Sequence, residues 1–265
     1  MDLRAQFLRE IAKTRLAVDP GPAAPVTPAD LEPLPEPARR YLRFMGAVGR
    51  PRDWSFRIGF DGFFRLRPHQ RFSACEAWSY ANRLSLARFF RIRMRLGRIV
   101  PMTGRDSYVD GQGRMLIRLA DLLTVENGTG AAYDSSELVS YLNDAVLIAP
   151  SMLLVPDVAW TAVDGRSFGV AITDHGCTIG GRVMVDERGA PIEFTTTDRY
   201  YTDPDDPAKV QRTRWTTPVE GWEVIDGRAI FRRAEARWHL PQGLFTYADL
   251  RPIPGSLAFN MRPGE

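Results

Sequence analysis

Residues 88–98 read Arg88-Phe89-Phe90-Arg91-Ile92-Arg93-Met94-Arg95-Leu96-Gly97-Arg98, and from Arg91 to Leu96 the stretch alternates without a break. Arg91, Arg93 and Arg95 fall on one side of an extended chain, and Ile92, Met94 and Leu96 on the other. A helix would scatter these residues around its axis. Only a strand, whose side chains point alternately to opposite faces, sorts them into a cationic face and an apolar one.

The same period extends in both directions. Trp54, Phe56, Ile58 and Phe60 alternate with Ser55, Arg57 and Gly59, and after Asp61-Gly62 the pattern resumes with Phe64 and Leu66 against Arg65 and Arg67. Phe72, Ala74, Glu76, Trp78 and Tyr80 form the next strand, and Met115, Ile117 and Leu119 continue the sheet after a turn at Asp110-Gly111. Further turns fall at Asp164-Gly165, Asp186-Glu187-Arg188-Gly189, Asp203-Pro204-Asp205-Asp206-Pro207 and Asp226-Gly227. The last marks a hairpin between 214–225 and 228–239. Strands joined by short turns predict a mainly β fold, a β-dominated α+β chain. Its core is a large curved antiparallel sheet or open barrel of about ten strands with a few short packing helices, because twist curls a sheet of that size.

Three helices interrupt the strands. Leu3, Phe7, Leu8, Ile11, Ala12 and Leu16 recur at helical spacing over 3–17, with Arg4, Arg9, Lys13 and Arg15 elsewhere on the surface. Such a basic amphipathic helix packs on its own domain or touches a membrane surface or partner. Seven prolines from Pro20 to Pro37, Pro22 among them, then predict an extended linker. A short helix follows with Pro37 in its first turn, Tyr41, Leu42 and Met45 inward, and Gly46 at its end. Asp134-Ser135-Ser136-Glu137 has the form of a capping box ahead of Leu138, Tyr141, Leu142, Ala145 and Val146, predicting a helix over 134–146 that Pro150 stops. The expected division is residues 1–37 as helix and Pro-rich linker, and 38–265 as a single β-rich domain.

Composition narrows the function. With 44% hydrophobic and 25% charged residues the chain can fill a core. No run approaches the roughly 18 apolar residues that span a bilayer, and the charged N-terminus lacks a signal-peptide core, so the expected compartment is the cytoplasm. Cys75 and Cys177, the two cysteines, do not make a disulfide framework. The net charge of +3 does not by itself call for nucleic acid. Its make-up is distinctive, because Lys13 and Lys209 are the only lysines and 33 of the 35 basic residues are arginine. That bias fits a GC-rich genome, and it also fits recognition of carboxylates or phosphates by planar guanidinium groups.

Several blocks resemble a known family: Asp106-Ser107-Tyr108-Val109-Asp110-Gly111-Gln112-Gly113-Arg114-Met115, the segment Glu137–Asp144 with Ala149-Pro150-Ser151, and Trp160 before Asp164. Leu34-Pro35-Glu36-Pro37-Ala38-Arg39-Arg40-Tyr41-Leu42 and Trp238-His239-Leu240-Pro241-Gln242-Gly243 share the likeness. Together, over roughly residues 34–260, they resemble the bacterial DUF6544 (formerly DUF6920) family of proteins of unknown function. The resemblance implies one β-dominated domain and carries over no activity, cofactor or catalytic residue. Some members carry membrane segments; no such run occurs in this sequence.

Local motifs point away from familiar catalysis. Gly165-Arg166-Ser167-Phe168-Gly169 matches the G-x-S-x-G pattern, but a nucleophile elbow needs a strand before the serine and a helix after it, and here a turn precedes a strand. His69, His175 and His239 lack metal-ligand spacing, so no metal or cofactor is expected. Asp203, Asp205 and Asp206 sit among prolines as a solvated turn. The aromatics alternate mostly onto the apolar side, against the exposed stacking surface of a single-strand binder.

Two functions remain in view. The first is binding of a hydrophobic or amphipathic small molecule inside the curved sheet. Trp54, Phe56, Phe60, Trp78, Met94, Leu96, Met115, Ile117 and Trp160 would line the cavity, with Arg93 and Arg95 at its rim for an anionic head group. The second is a cofactor-free isomerase, cyclase or hydrolase in the same cavity. Its acid–base groups would be Asp106, Tyr108, Glu76 and Glu193, with burial and nearby charge tuning them. Which face the arginines occupy is the deciding question.

Overall fold

A computed structural model describes residues 2–21, 24–96, 99–120, 122–204 and 206–265. Gly97 and Arg98 of the opening stretch, Pro22, Asp205, and the side chains of Leu96 and Pro207 lie outside the described residues. The chain begins with helices α1 (Leu3–Ile11) and α2 (Glu36–Phe44). A meander follows, of β1 (Ser55–Phe64), β2 (Ser73–Asn82), β3 (Ala87–Leu96), β4 (Val100–Val109), β5 (Gln112–Leu119) and β6 (Leu123–Thr129). Helix α3 (Ala131–Ile148) separates this half from β7 (Val158–Asp164), β8 (Ser167–Asp174), β9 (Cys177–Val185) and β10 (Pro191–Thr196). The short pair β11 (Tyr200–Asp203) and β12 (Asp206–Arg212) stands apart. Then β13 (Trp215–Ile225), β14 (Arg228–Leu240) and β15 (Gly243–Pro252) return to the sheet, with β16 (Ala258–Phe259) last.

The main sheet has 14 strands in the order β6-β5-β4-β3-β2-β1-β15-β14-β13-β10-β9-β8-β7, with β16 beside the start of β1. Its neighbouring strands pair antiparallel. The mainly β fold read from the sequence is therefore the fold found, on a larger sheet than about ten strands. Ala120 (φ 51) and His175 (φ 46) stand in hairpin turns that no Asp-Gly pair announces. Where such a pair does occur, at Asp226-Gly227 (φ 50 and 73), it joins β13 to β14 as expected of a two-residue hairpin with both φ values positive.

Alternation sets the two faces. Phe56, Ile58 and Phe60 of β1 point to the concave side, as do Cys75 and Ala77 of β2 and Ile92 and Met94 of β3, and all are buried. Helix α3 lies across this side and is buried along nearly all of its length from Ser136 onward. It begins three residues before the expected cap. Gly130 (φ 98) turns the chain from β6 straight into the helix, so Asp134 is left inside the first turn and accepts the Gly113 N–H at 2.7 Å. Helix α2 closes one end with Tyr41 fully buried, its hydroxyl donating to the Val146 carbonyl at 2.6 Å. As expected, Pro37 is in its first turn and Gly46 (φ 74) follows it.

The convex face is also partly covered. Helix α1 sets Leu3, Phe7 and Ile11, each buried, against Trp78 and Tyr80. Arg91 donates to Glu10 Oε2 at 3.0 Å and Gln6 Oε1 at 2.7 Å. The helix ends at Ile11 and not at residue 17, and the Thr14 hydroxyl turns back onto the Ile11 carbonyl. In the proline-rich segment Val26 and Leu31 are buried in the main core, and Pro25 bridges to Pro51. Among the described residues no helix is long and apolar enough to cross a membrane.

Candidate functional site

The curled sheet, α3 and the β11–β12 hairpin enclose a cavity of about 560 Å³. Phe60 and Phe64 of β1, Phe90 and Ile92 of β3, Met102 and Gly104 of β4, and Met115 and Ile117 of β5 line one wall. Trp215, Phe231, Trp238, Phe245, Tyr247 and Leu250 line the other. The hairpin contributes Tyr200, Tyr201 and Thr202, with the Tyr201 ring edge-on to Trp238 at 5.5 Å. It is tied to α3 by the Tyr200 N–H donating to Ser136 Oγ at 3.0 Å, and by Ser135 Oγ donating to the Asp198 carbonyl at 2.7 Å. Arg67, Val125 and Asn127 are exposed lining residues and mark where the cavity meets solvent. Above Gly128 the Tyr133 ring packs so closely that an added Cβ would overlap it, so a larger residue there would displace Tyr133.

Polar groups gather under α3. Arg88, on the concave face of β3, donates to Asp144 Oδ2 at 2.7 Å and Glu137 Oε2 at 3.1 Å. Glu137 is fully buried, and among the described residues its Oε1 has no hydrogen-bond partner. Burial raises the Glu137 carboxyl, opposed by Arg88 and Arg199. Asp106, opposite Phe90 across β3–β4, is half-buried with its carboxyl at the cavity wall. Desolvation first, then repulsion from Glu137, pushes it up to about 8. A carboxyl so placed holds its proton at neutral pH and is a hydrogen-bond donor there.

The residues expected from the sequence divide between the two faces. Asp106, Phe60 and Met115 line the cavity. Tyr108 shares the Asp106 face but is buried beyond the cavity, its hydroxyl donating to Asp174 Oδ2 at 2.7 Å, and burial raises its pKa. Phe56 belongs to the packed core, and Trp54 is buried at the entry to β1, where its backbone N–H donates to Asn260. Trp160 stacks near Phe168, with ring centroids 5.5 Å apart, away from the cavity.

Glu76, Trp78, Arg93 and Arg95 lie on the opposite side of the sheet, which corrects their expected place inside it. Glu76 accepts from Trp78 Nε1 at 3.0 Å and from Arg93 at 3.1 Å, and Arg95 is exposed. Trp78 faces outward because α1 gives that face an apolar cover, so an aromatic there no longer signals the interior. Glu193 also faces away, accepting from Thr195 at 3.0 Å with Arg214 3.9 Å distant. Arg91, Arg93 and Arg95 are thus on the convex side, and the cavity arginine of that strand is Arg88, outside the alternating run.

Arg199 has no counterpart in the sequence reading. It follows β10 in Thr197-Asp198-Arg199, where no periodicity marks it, yet it is only 8% exposed. Its guanidinium lies 4.3 Å from the Trp215 ring centroid and 5.6 Å from that of Trp238. Ser167 of the G-x-S-x-G pattern begins β8 and accepts from Arg182 Nε at 3.0 Å, in the strand context that the turn before it predicts. Among the described residues no three histidine, cysteine or acidic side chains are grouped to hold a metal ion.

The class defined by these features is a curled antiparallel sheet around an internal, aromatic-lined cavity with one long helix across its open side. The chain belongs to the DUF6544 family of unknown function, whose model matches residues 24–250. Among solved structures it is similar to a LolA superfamily protein from Nitrosomonas europaea, at 11% identity and a TM-score of 0.43, over 83% of this chain and 92% of that one. It is also similar to a β-barrel-like protein of the domain of unknown function DUF1849 from Brucella abortus. There the identity is 9% and the TM-score 0.29, over 78% of this chain and 98% of that one. No curated protein matches its sequence.

Proposed function

We propose that this protein binds a hydrophobic or amphipathic small molecule in the cavity between the curled sheet, α3 and the β11–β12 hairpin. The observation that carries the reading is the cavity itself, about 560 Å³, walled mainly by aromatic and aliphatic side chains with a few polar groups at one side. Sites for small molecules have this size and composition. A well-packed domain leaves few voids larger than a water molecule, so a space this large among so many aromatic rings calls for a filling.

Trp215 and Trp238 report on occupancy directly. Titration of the full chain with a lipid and polyketide panel should quench or shift their fluorescence and raise Tm. Ile117→Trp, which fills part of the cavity, should weaken binding at least tenfold while the protein stays folded. Unchanged affinity in a folded Ile117→Trp would move the site elsewhere.

Asp106 favours a second reading, a cofactor-free acid–base enzyme on a similar substrate, because its carboxyl, neutral near pH 7, faces the cavity. In that case Asp106→Asn would abolish turnover while leaving substrate affinity within a fewfold. Equal turnover by the variant would exclude Asp106 as the acid.

A further inference from the structure

The polar groups of the cavity differ in whether the protein already satisfies them. Ser136 Oγ accepts the Tyr200 N–H at 3.0 Å, Ser140 Oγ donates to the Ser136 carbonyl at 3.0 Å, and Thr217 Oγ1 donates to Asn143 Oδ1 at 2.5 Å. The Tyr133 hydroxyl donates to Glu126 at 2.8 Å. Of the four arginines in the wall, Arg88 is locked by Asp144 and Glu137. Arg65 donates to the Thr246 and Pro68 carbonyls, and Arg67, at the opening, reaches the Pro204 carbonyl.

Arg199 is the exception. It is more than nine-tenths buried, stacked on Trp215 and Trp238, and among the described residues its guanidinium has neither a hydrogen-bond acceptor nor a carboxylate within ion-pair distance. A buried guanidinium without a partner is expensive, and stacking on indole faces offsets only a part of that cost. Arg199 lines the cavity, and a planar N–H fork is the group that receives a carboxylate bidentately. Asp106 lies within electrostatic reach of Arg199 and has no hydrogen-bond partner among the described residues. The charges beside it set the ligand's charge. Asp144 stands in the same wall and Glu137, buried behind it, is within electrostatic reach of Arg199, so a dianion would meet two carboxylates, whereas a monoanion matches one open arginine.

We propose that Arg199 receives the carboxylate head group of a fatty-acid-like ligand, with the Asp106 carboxyl beside it as a hydrogen-bond donor and the apolar walls around the chain. This rests on the cavity being the ligand site, and it adds the chemical class of ligand and the residue that selects it. The aromatic faces under Arg199 hold the guanidinium in place without accepting its N–H groups in the plane, which leaves those donors for the ligand.

The test is a head-group series on one chain length: palmitate, hexadecanol, hexadecylamine and hexadecyl phosphate, titrated at pH 7 against the full chain by tryptophan fluorescence. Palmitate should bind at least tenfold more tightly than hexadecanol or hexadecylamine. Arg199→Met should bring palmitate to the level of hexadecanol and leave hexadecanol unchanged, and Arg199→Lys should retain part of the preference. Equal binding of palmitate and hexadecanol would overturn the head-group assignment while leaving the cavity site standing, as would an Arg199→Met variant that still prefers palmitate. Preference for hexadecyl phosphate would overturn the choice of a carboxylate. If none of the four binds, the cavity reading falls and this proposal with it. Should Arg199→Met fail to fold, the wild-type series and Arg199→Lys decide.

Discussion

Asp106 and Arg199 show what a single residue reveals and conceals in the sequence. Asp106 sits in an extended stretch whose alternation puts it with Tyr108, so its face could be read; the side of the sheet to which that face belongs could not. Glu76 illustrates the difficulty, since it shares a face with Trp78 and Tyr80 and looks equally like a cavity residue until α1 is seen covering that face. Arg199 lies in a connection, where no period exists to read. The environment of Asp106 has a measurable consequence. Its carboxyl is pushed up to about 8 in the folded protein from an ordinary 3.8, first by desolvation and then by Glu137 and Glu126, against the lowering pull of Arg88 and Arg199. Between those values the native state holds a proton that the unfolded chain has released, so stability falls as pH rises and levels off above about 8. Asp106→Asn cannot ionise and removes this fall. The variant should therefore gain stability over wild type between pH 5 and pH 9, by on the order of 2 kcal/mol. Urea midpoints at the two pH values measure it, and a constant difference between the proteins would show that Asp106 is ionised throughout.

Elements were legible where one interaction dominates. The strands declared themselves because alternation and burial agree, and α2 because Pro37 and Gly46 bracket it. Helix α3 starts before its capping-box pattern because the residues of that pattern serve tertiary contacts. Asp134 ties to Gly113, Ser135 and Ser136 anchor the connection around Asp198 and Tyr200, and Glu137 pairs with Arg88. Helix α1 was legible as amphipathic, and the chemistry of its contacts explains its attachment to the convex face. Phe7 is 1% exposed against Trp78 and Tyr80, with Arg91 bonded to Gln6 and Glu10 alongside. Removing the Phe7 ring leaves a void that neighbours on a flat sheet face fill poorly. Phe7→Ala should cost about 3 kcal/mol in chemical denaturation, whereas Glu10→Gln, on a half-exposed partner, should cost less than about 1 kcal/mol. Ligand affinity should be unchanged in both, because α1 and the cavity lie on opposite faces. A loss below about 1 kcal/mol for Phe7→Ala would mean that the helix is only loosely docked.

At the scale of the whole molecule the sheet consists of two wings that meet where β1 pairs with β15, and α3 is bound to both. Arg88 of β3 reaches the helix from one wing through Glu137 and Asp144, and Thr217 of β13 reaches it from the other through Asn143. The cavity exists because the helix is held at this distance by polar contacts while much of the apolar surface beneath it remains unfilled. Arg88 therefore carries a structural role that its place in an arginine-rich strand does not disclose. Arg88→Met would leave Glu137, fully buried, with its nearest ion-pair partner gone, and Asp144 without one of its donors. Breaking a buried pair from one side costs about 3–5 kcal/mol, while removing both charges together is often close to neutral. Arg88→Met should accordingly lose about 3 kcal/mol or more at pH 8. It should lose less at pH 5, where Glu137, already raised by burial, can take up a proton once Arg88 no longer opposes it. The Arg88→Met/Glu137→Gln double variant should recover part of the loss at pH 8. If the double variant is no more stable than Arg88→Met, burial of Glu137 is not what Arg88 compensates.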